Sequence, residues 1–243
     1  MIMASGSQPR YHRIVLKLSG EALAGSNGFG IIPEQVDSIC RQIAEVQEAG
    51  LQVALIIGGG NIFRGLGASR AGMDRNTADA MGMLATLINS LAIRDRLEVL
   101  GRPVRVMSAV RIDSFAEAFV PRRAVHHLEK GRVVIIAGGT GHPFFSTDTA
   151  AALYACELKA EVILKATKVD GVYTDDPEKN DGAEMLRELS YDEVIRGRLG
   201  VMDLTAVTLA CENDIPIIVF NMRTAGNLGK AVMGEMIGTI VSG

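Results

Sequence analysis

Four short stretches combine residue types and spacings that could do chemistry. The first is Lys17-Leu18-Ser19-Gly20, at the end of a short apolar run. A cation inside such a run is expensive to bury without a partner. An anion at the strand exit would account for it, and so would a lysine snorkelling from an edge strand. The second is Gly58-Gly59-Gly60-Asn61, followed by Arg64 and Gly65. Three glycines let backbone N–H groups approach an anion with no Cβ in the way. Arg64 could clamp a phosphate through two parallel hydrogen bonds. An ordinary tight turn with a surface arginine is the plainer reading. The third runs Gly138-Gly139-Thr140-Gly141-His142-Pro143-Phe144-Phe145-Ser146-Thr147-Asp148. It joins a permissive backbone to hydroxyls, two aromatic rings and a carboxylate placed to cap a helix. Core packing is the alternative for both rings, and a pure N-cap is the alternative for Asp148. The fourth, from Lys165 through Asp170-Gly171 to Tyr173 and Asp176, reads by itself as a turn-rich loop.

The elements around these stretches alternate. Arg13–Leu18 (RIVLKL) reads as a strand. Pro33–Glu48 reads as a helix, with proline suited to its first position and Gly50 to its stop. Gln52–Ile57 (QVALII) is almost continuously apolar, as in a parallel sheet covered on both faces. A long helix is expected over 74–100, strands over Val104–Ser108 and 132–137, an alanine-rich helix over 148–158 and a strand over 161–165. Asp170-Gly171 signals a turn between short β segments. Ser190 and Glu193 have capping-box spacing, and late strands are expected over 217–220 and 238–241. The β-α-β-α order predicts an α/β fold with a mostly parallel sheet and right-handed crossovers. Ligands in such sheets bind beyond the carboxyl ends of strands. That rule selects the three glycine-rich exits.

Composition narrows the function. Of 243 residues, 48% are hydrophobic and 22% charged, enough for a sizeable core. The net charge of −3 lacks the basic excess of a general nucleic-acid binder, so any phosphate site must be local. Cys40, Cys156 and Cys211 are scattered and read as small core residues. Residues 1–10 read as a flexible, polar N-terminus without a signal-peptide core, and no apolar run approaches the ~18 residues of a membrane span. A cytoplasmic protein is expected. There is no P-loop, no dinucleotide fingerprint after a strand and no protein-kinase signature set. Two glycine-rich exits in one sheet suit two anions brought together, as a phosphoryl donor and its acceptor would be.

In order, Lys-Leu-Ser-Gly, Gly-Gly-Gly-Asn with a nearby Arg, Thr-Gly-x-Pro-Phe-Phe and Lys-Ala-Thr-Lys-Val-Asp-Gly-Val resemble the amino-acid-kinase family, and within it the bacterial uridylate kinases. The likeness runs from about Tyr11 to the C-terminus. It includes Ala-Gly-Met at 71–73, Met-Gly-Met-Leu-Ala-Thr at 81–86, Val-Met-Asp-Leu at 201–204 and Val-Phe-Asn-Met at 219–222. It implies a three-layer αβα sandwich: one domain over 11–243, with an acceptor-side lobe of about 11–160 and an ATP-side lobe of about 161–243.

The resemblance also implies roles. Lys17, Leu18, Ser19, Gly20, Gly60 and Arg64 would meet ATP phosphates. Thr167, Tyr173 and Asp176 would line the adenosine pocket. Gly59, Asp79, Thr140, Gly141, His142, Pro143, Phe144, Phe145, Ser146 and Thr147 would hold UMP. Lys17, Arg64 and Asp148 are the catalytic candidates, with Asp148 orienting Lys17 and capping its helix. Asp79, otherwise a plain helix-surface acid, suits ribose hydroxyls because a carboxylate accepts two hydrogen bonds. Gly25, Ser26, Asn27, Gly28, Phe29 and Gly30 match the segment tied to GTP activation. UTP inhibition, a homohexamer and Mg²⁺ travelling with ATP are implied likewise. The family commonly has Asn where this chain has His142, and Thr where it has Ser146. The first change alters what can be offered to uracil; the second keeps the hydroxyl.

Overall fold

A computed structural model describes residues 9–25, 28–175, 179–180 and 182–243. The expected flexible stretch over 1–10 lies outside the described residues apart from Pro9 and Arg10. Ser26, Asn27 and Asp176 lie outside them too. In chain order the elements are β1 (Arg13–Leu18), α1 (Glu21–Ala24), α2 (Pro33–Glu48), β2 (Gln52–Ile57), α3 (Gly65–Arg70), α4 (Arg75–Val99), β3 (Val104–Ser108), β4 (Glu117–Ala118), α5 (Pro121–Glu129), β5 (Val133–Ala137), α6 (Thr147–Leu158), β6 (Val162–Thr167), β7 (Val172–Tyr173), β8 (Met185–Leu186), β9 (Glu188–Ser190), α7 (Tyr191–Gly197), α8 (Leu204–Glu212), β10 (Ile217–Asn221), α9 (Asn227–Val232) and β11 (Thr239–Ser242).

Nine strands form one sheet in the order β4-β3-β5-β2-β1-β6-β10-β11-β9. Every pairing in it is parallel except β10 with β11. The central strands are apolar at nearly every position because both faces are covered. On one face Ile14, Leu16, Leu55 and Leu164 pack with Ile39 and Ile43 of α2, Ile93 and Leu97 of α4 and Leu228 of α9. On the other, Val15, Ile56, Ile136 and Ile163 pack with Leu128 of α5, the alanines of α6, Val194 of α7 and Val207 of α8. The result is the expected three-layer sandwich.

Local chemistry sets several boundaries. Pro33 begins α2 at its first turn. Asp74 caps α4 by accepting from Thr77 N. Ser190 and Glu193 complete a capping box at α7. β6 runs two residues beyond the expected strand, because Ala166 and Thr167 pair with Phe220 and Asn221 of β10. Among the described residues no helix is long and apolar enough to cross a membrane.

In the sheet order, β5, β2, β1 and β6 are consecutive. Their carboxyl ends therefore bring the 138–147 loop, the 58–64 loop, Ser19-Gly20 and Thr167 to one edge of the molecule.

Candidate active site

Strand register builds the charged centre. In the β1–β6 ladder Lys17 stands opposite Lys165, on the same face of the sheet. Like charges directly opposite would repel. Asp148, the second residue of α6, lies between them: Oδ1 is 2.6 Å from Lys17 Nζ and Oδ2 is 2.9 Å from Lys165 Nζ. Lys165 also donates to the Val201 carbonyl. Burial opposes ionisation of Asp148, but the two ammonium groups outweigh it and hold the carboxyl below the usual carboxylate range. Burial, reinforced by the neighbouring Lys17 charge, lowers Lys165 even though Asp148 pulls the other way.

This corrects one expectation. Asp148 does not cap α6; Ser146 does, its Oγ accepting from Asp148 N at 2.9 Å and Thr149 N at 3.2 Å. The carboxylate is drawn instead to the lysines. Lys165 was not among the sequence candidates, although the buried-cation argument that singled out Lys17 applies equally to it.

The glycine loops interlock. A Cβ on Gly20 would lie 2.6 Å from Gly58 O and 2.3 Å from Asn61 Oδ1, so only glycine lets the first exit sit against the second. Gly59 backs onto α4, where a Cβ would meet Ala85 Cβ at 2.7 Å, whereas a Cβ on Gly60 would meet Arg64 Cγ at 4.0 Å, an ordinary contact. Asn61 and Asn89, both fully buried, bond each other. Asn89 also donates to Gly58 O at 2.8 Å, and Asn61 to Gly30 O at 2.8 Å. Arg64 is exposed at the mouth of this loop, with its guanidinium on Glu21. It is thus held beside Ser19-Gly20 rather than within the lysine cluster.

A cleft of about 280 Å³ opens beside the cluster. Gly59, Asp79, Thr140, His142, Phe144, Phe145, Ser146 and Thr147 from the sequence reading all line it. Gly141 and Pro143 belong to the same loop but are not part of the lining. Phe63, Arg75, Met83 and Thr86, which the sequence reading left out as site residues, do line it. The two phenylalanines are 64% and 52% exposed, which removes the core-packing alternative. Asp79 is no surface acid: Oδ2 accepts from Arg75 Nε and from Phe144 N, each at 2.7 Å. Phe144 has φ 71°, and Arg75 lies 5.2 Å from its ring centroid. The left-handed backbone of a bulky residue costs about 1–3 kcal/mol, here held by the Asp79 contact. Thr86 Oγ1 accepts from Gly138 N at 2.8 Å, and Tyr154 Oη donates to Gly139 O at 2.7 Å, fixing the loop's root. His142 lines the cleft, and its N–H and C=O each lie 3.3 Å from Thr140 Oγ1.

Across the cluster from the cleft, Thr167 Oγ1 lies 2.6 Å from Val169 O, and Tyr173 pairs with Met185 in the small β7–β8 sheet. A second cleft, of about 330 Å³, lies at the β3–β4 edge and contains none of the candidate residues. Cys40 is buried, and burial pushes its thiol up to about 12; Cys156 and Cys211 are partly buried against the second core. Among the described residues no three His, Cys, Asp or Glu side chains are grouped to hold a metal, and both Asp148 oxygens already face lysines.

The geometry has known counterparts. The family model for the amino acid kinase family matches residues 12–221. A UMP kinase structure from Bacillus anthracis is 40% identical, with a TM-score of 0.92, and 96% of each chain is covered. A UMP kinase structure from Ureaplasma parvum is 35% identical, with a TM-score of 0.90 over 96% of this chain and 100% of that one. A uridylate kinase structure from Archaeoglobus fulgidus is 28% identical, with a TM-score of 0.73 over 94% and 99%. With the matched segment taking in β1 through β10 and all of the lysine cluster and cleft, the chain belongs to the amino acid kinase family.

Proposed function

We propose that this chain is a UMP kinase, transferring the γ-phosphoryl group of ATP to the phosphate of UMP to give ADP and UDP. The observation that carries the reading is the cleft: it sets the Asp79 carboxylate opposite the Thr140–Phe145 loop, directly beside Lys17, Asp148 and Lys165. A carboxylate for a ribose diol and exposed rings for a base suit a nucleotide acceptor, which a carbamate or an amino-acid carboxylate would not fill.

In this reading ATP phosphates lie against Lys17, Leu18, Ser19, Gly20, Gly60 and Arg64, and adenosine against Thr167, Tyr173 and Asp176. UMP occupies the cleft. An oxygen of the UMP phosphate attacks the γ-phosphorus in line as the bond to the ADP oxygen breaks. Such a transfer depends on positioning and charge neutralisation. Lys17 and Lys165 face the transferred group, and Asp148 holds both ammonium groups in place. No general base is required, because a phosphate monoester is already ionised near neutral pH. Mg²⁺ bound to ATP supplies further neutralisation of phosphate charge. The acceptor-side lobe is about 11–160 and the ATP-side lobe about 161–243.

The reading extends to a cytoplasmic enzyme of pyrimidine nucleotide biosynthesis, a homohexamer activated by GTP and inhibited by UTP. Two observations support parts of it. Gly30 of the GTP-linked segment exchanges two hydrogen bonds with Asn61, next to Gly60, so a shift there reaches the phosphate loop. Met81, Leu84 and Ile88 form an exposed apolar stripe on α4, in a run from Met81 to Ile93 that has no charged residue, as a helix covered by another subunit would.

The test is ADP release from ATP with UMP, aspartate, acetylglutamate and carbamate as separate acceptors. Release with UMP alone supports the reading; release with a carboxylate or carbamate and none with UMP would overturn it.

A further inference from the structure

Asp203 closes a ring of hydrogen bonds behind the site. It caps α8, with Oδ1 accepting from Ala206 N at 3.0 Å. The same carboxylate reaches across to α6. Thr149 Oγ1 lies 2.9 Å from its Oδ1 and 3.1 Å from its Oδ2, and Ser146 Oγ donates to Oδ2. A serine hydroxyl has one proton and two acceptor positions. With its proton committed to Asp203, Ser146 turns both lone pairs to Asp148 N and Thr149 N. That pair of bonds fixes the first turn of α6, which carries Asp148. Asp148 in turn holds Lys17 and Lys165, and Lys165 bonds the carbonyl of Val201, two residues before Asp203. Asp203 is also among the charges acting on Lys165. The loop Asp203, Ser146, Asp148, Lys165, Val201 is therefore closed, and it joins α8 to the acceptor cleft, which Ser146 also lines.

A helix cap alone does not need this arrangement. Serine at the same position would satisfy Ala206 N as well as aspartate does. What serine could not do is span to Ser146 and Thr149. We propose that Asp203 is a positioning residue for the transfer: by fixing the proton of Ser146 it sets the first turn of α6, and so the aim of Asp148 and the two lysines. This rests on the reading of the cleft and lysine cluster as the phosphoryl-transfer site.

The test is Asp203→Ser, which keeps the cap and breaks the span, alongside Ser146→Ala and the double variant. Steady-state kinetics with UMP and ATP would be read beside thermal melting. The expected result for Asp203→Ser is a melting temperature close to wild type and a kcat lower by roughly tenfold to a hundredfold, the range for a sub-ångström to 1 Å misplacement. KM for ATP should stay within about twofold. Ser146→Ala should lower kcat similarly, and the double variant should be no slower than the slower single one, since Asp203 is proposed to act through the Ser146 hydroxyl. Wild-type kcat and KM for UMP in folded Asp203→Ser would overturn the proposal, as would losses that multiply in the double variant. Should Asp203→Ser fail to fold, Asp203→Asn keeps the cap but turns an amide hydrogen toward a hydroxyl. Lower kcat there supports the proposal, and unchanged kcat overturns it. A wild-type enzyme that does not phosphorylate UMP would refute the underlying reading instead, before any variant is made.

Discussion

Lys165→Met separates electrostatic work from structural support in the lysine cluster. Methionine keeps an unbranched side chain of similar reach, so no cavity opens. The ammonium group is lost, along with its 2.9 Å contact to Asp148 Oδ2 and its bond to Val201 O. Two lysines and one carboxylate carry a net +1; without Lys165 the cluster is neutral. Breaking a buried ion pair typically costs about 3–5 kcal/mol when a charge is left uncompensated. Here Asp148 retains Lys17 at 2.6 Å, so neither charge is orphaned. Burial already works against the charged form of Lys165, and its removal relieves that cost. The remaining loss is the unmet Val201 carbonyl, about 1–3 kcal/mol. The transition state loses a donor aimed at developing charge, about 3 kcal/mol or roughly a hundredfold in kcat. The expected pattern in ADP-release kinetics and thermal melting is thus a large fall in kcat with a modest fall in stability. A folded Lys165→Met enzyme with kcat within about threefold of wild type would refute the reasoning and leave Lys165 as a strut between strands.

Three further outcomes are expected. Asp79→Asn should raise KM for UMP more than KM for ATP, because Asp79 lies in the acceptor cleft and also anchors Phe144 N; a larger effect on ATP would mean the two pockets are assigned in reverse. His142→Asn should change KM for UMP more than KM for ATP, because His142 lines the acceptor cleft; unchanged KM for UMP would make His142 a loop residue that does not read the base. Asp148 has a folded pKa below its unfolded value of about 3.9, so the unfolded chain takes up the proton first as pH falls. Its stabilisation is full above that value and is lost as pH falls through the folded pKa. Melting temperature should therefore drop more steeply between pH 5 and 3 in wild type than in Asp148→Asn, and equal slopes would contradict the triad.

Much of this was legible where the signal is local. The bounds of β1, α2, β2 and β3 follow from apolar runs, a first-turn proline and glycine stops. The parallel sheet follows from strand and helix alternation, and the converging exits follow from the parallel sheet. What escaped depends on partners distant in the chain. Ser146, Thr147 and Asp148 are three adjacent residues able to cap a helix, and the choice falls to Ser146 because Asp148 is claimed by lysines on two other elements. Lys165 sits at a strand end in sequence, where a lysine looks like an exit to solvent; only the β1 register places it against Lys17. Asn61 and Asn89 meet across 28 residues, and no local pattern pairs them. α5 carried a legible Pro121, but it is short and its buried stripe of Ala124, His127 and Leu128 includes a histidine, which reads as polar; α8 (LTAVTLACE) is apolar over most of its length and shows no clean helical stripe.

The most direct measurement is the acceptor preference of the purified enzyme, with ADP formation from Mg²⁺-ATP followed for UMP, CMP, AMP and GMP side by side. The account expects kcat/KM for UMP to exceed that for each of the others by well over tenfold, because the cleft proposed for the acceptor is lined by Asp79 and by the Thr140–Thr147 loop with His142, Phe144 and Phe145. Comparable turnover of CMP, or of either purine nucleotide, would contradict it.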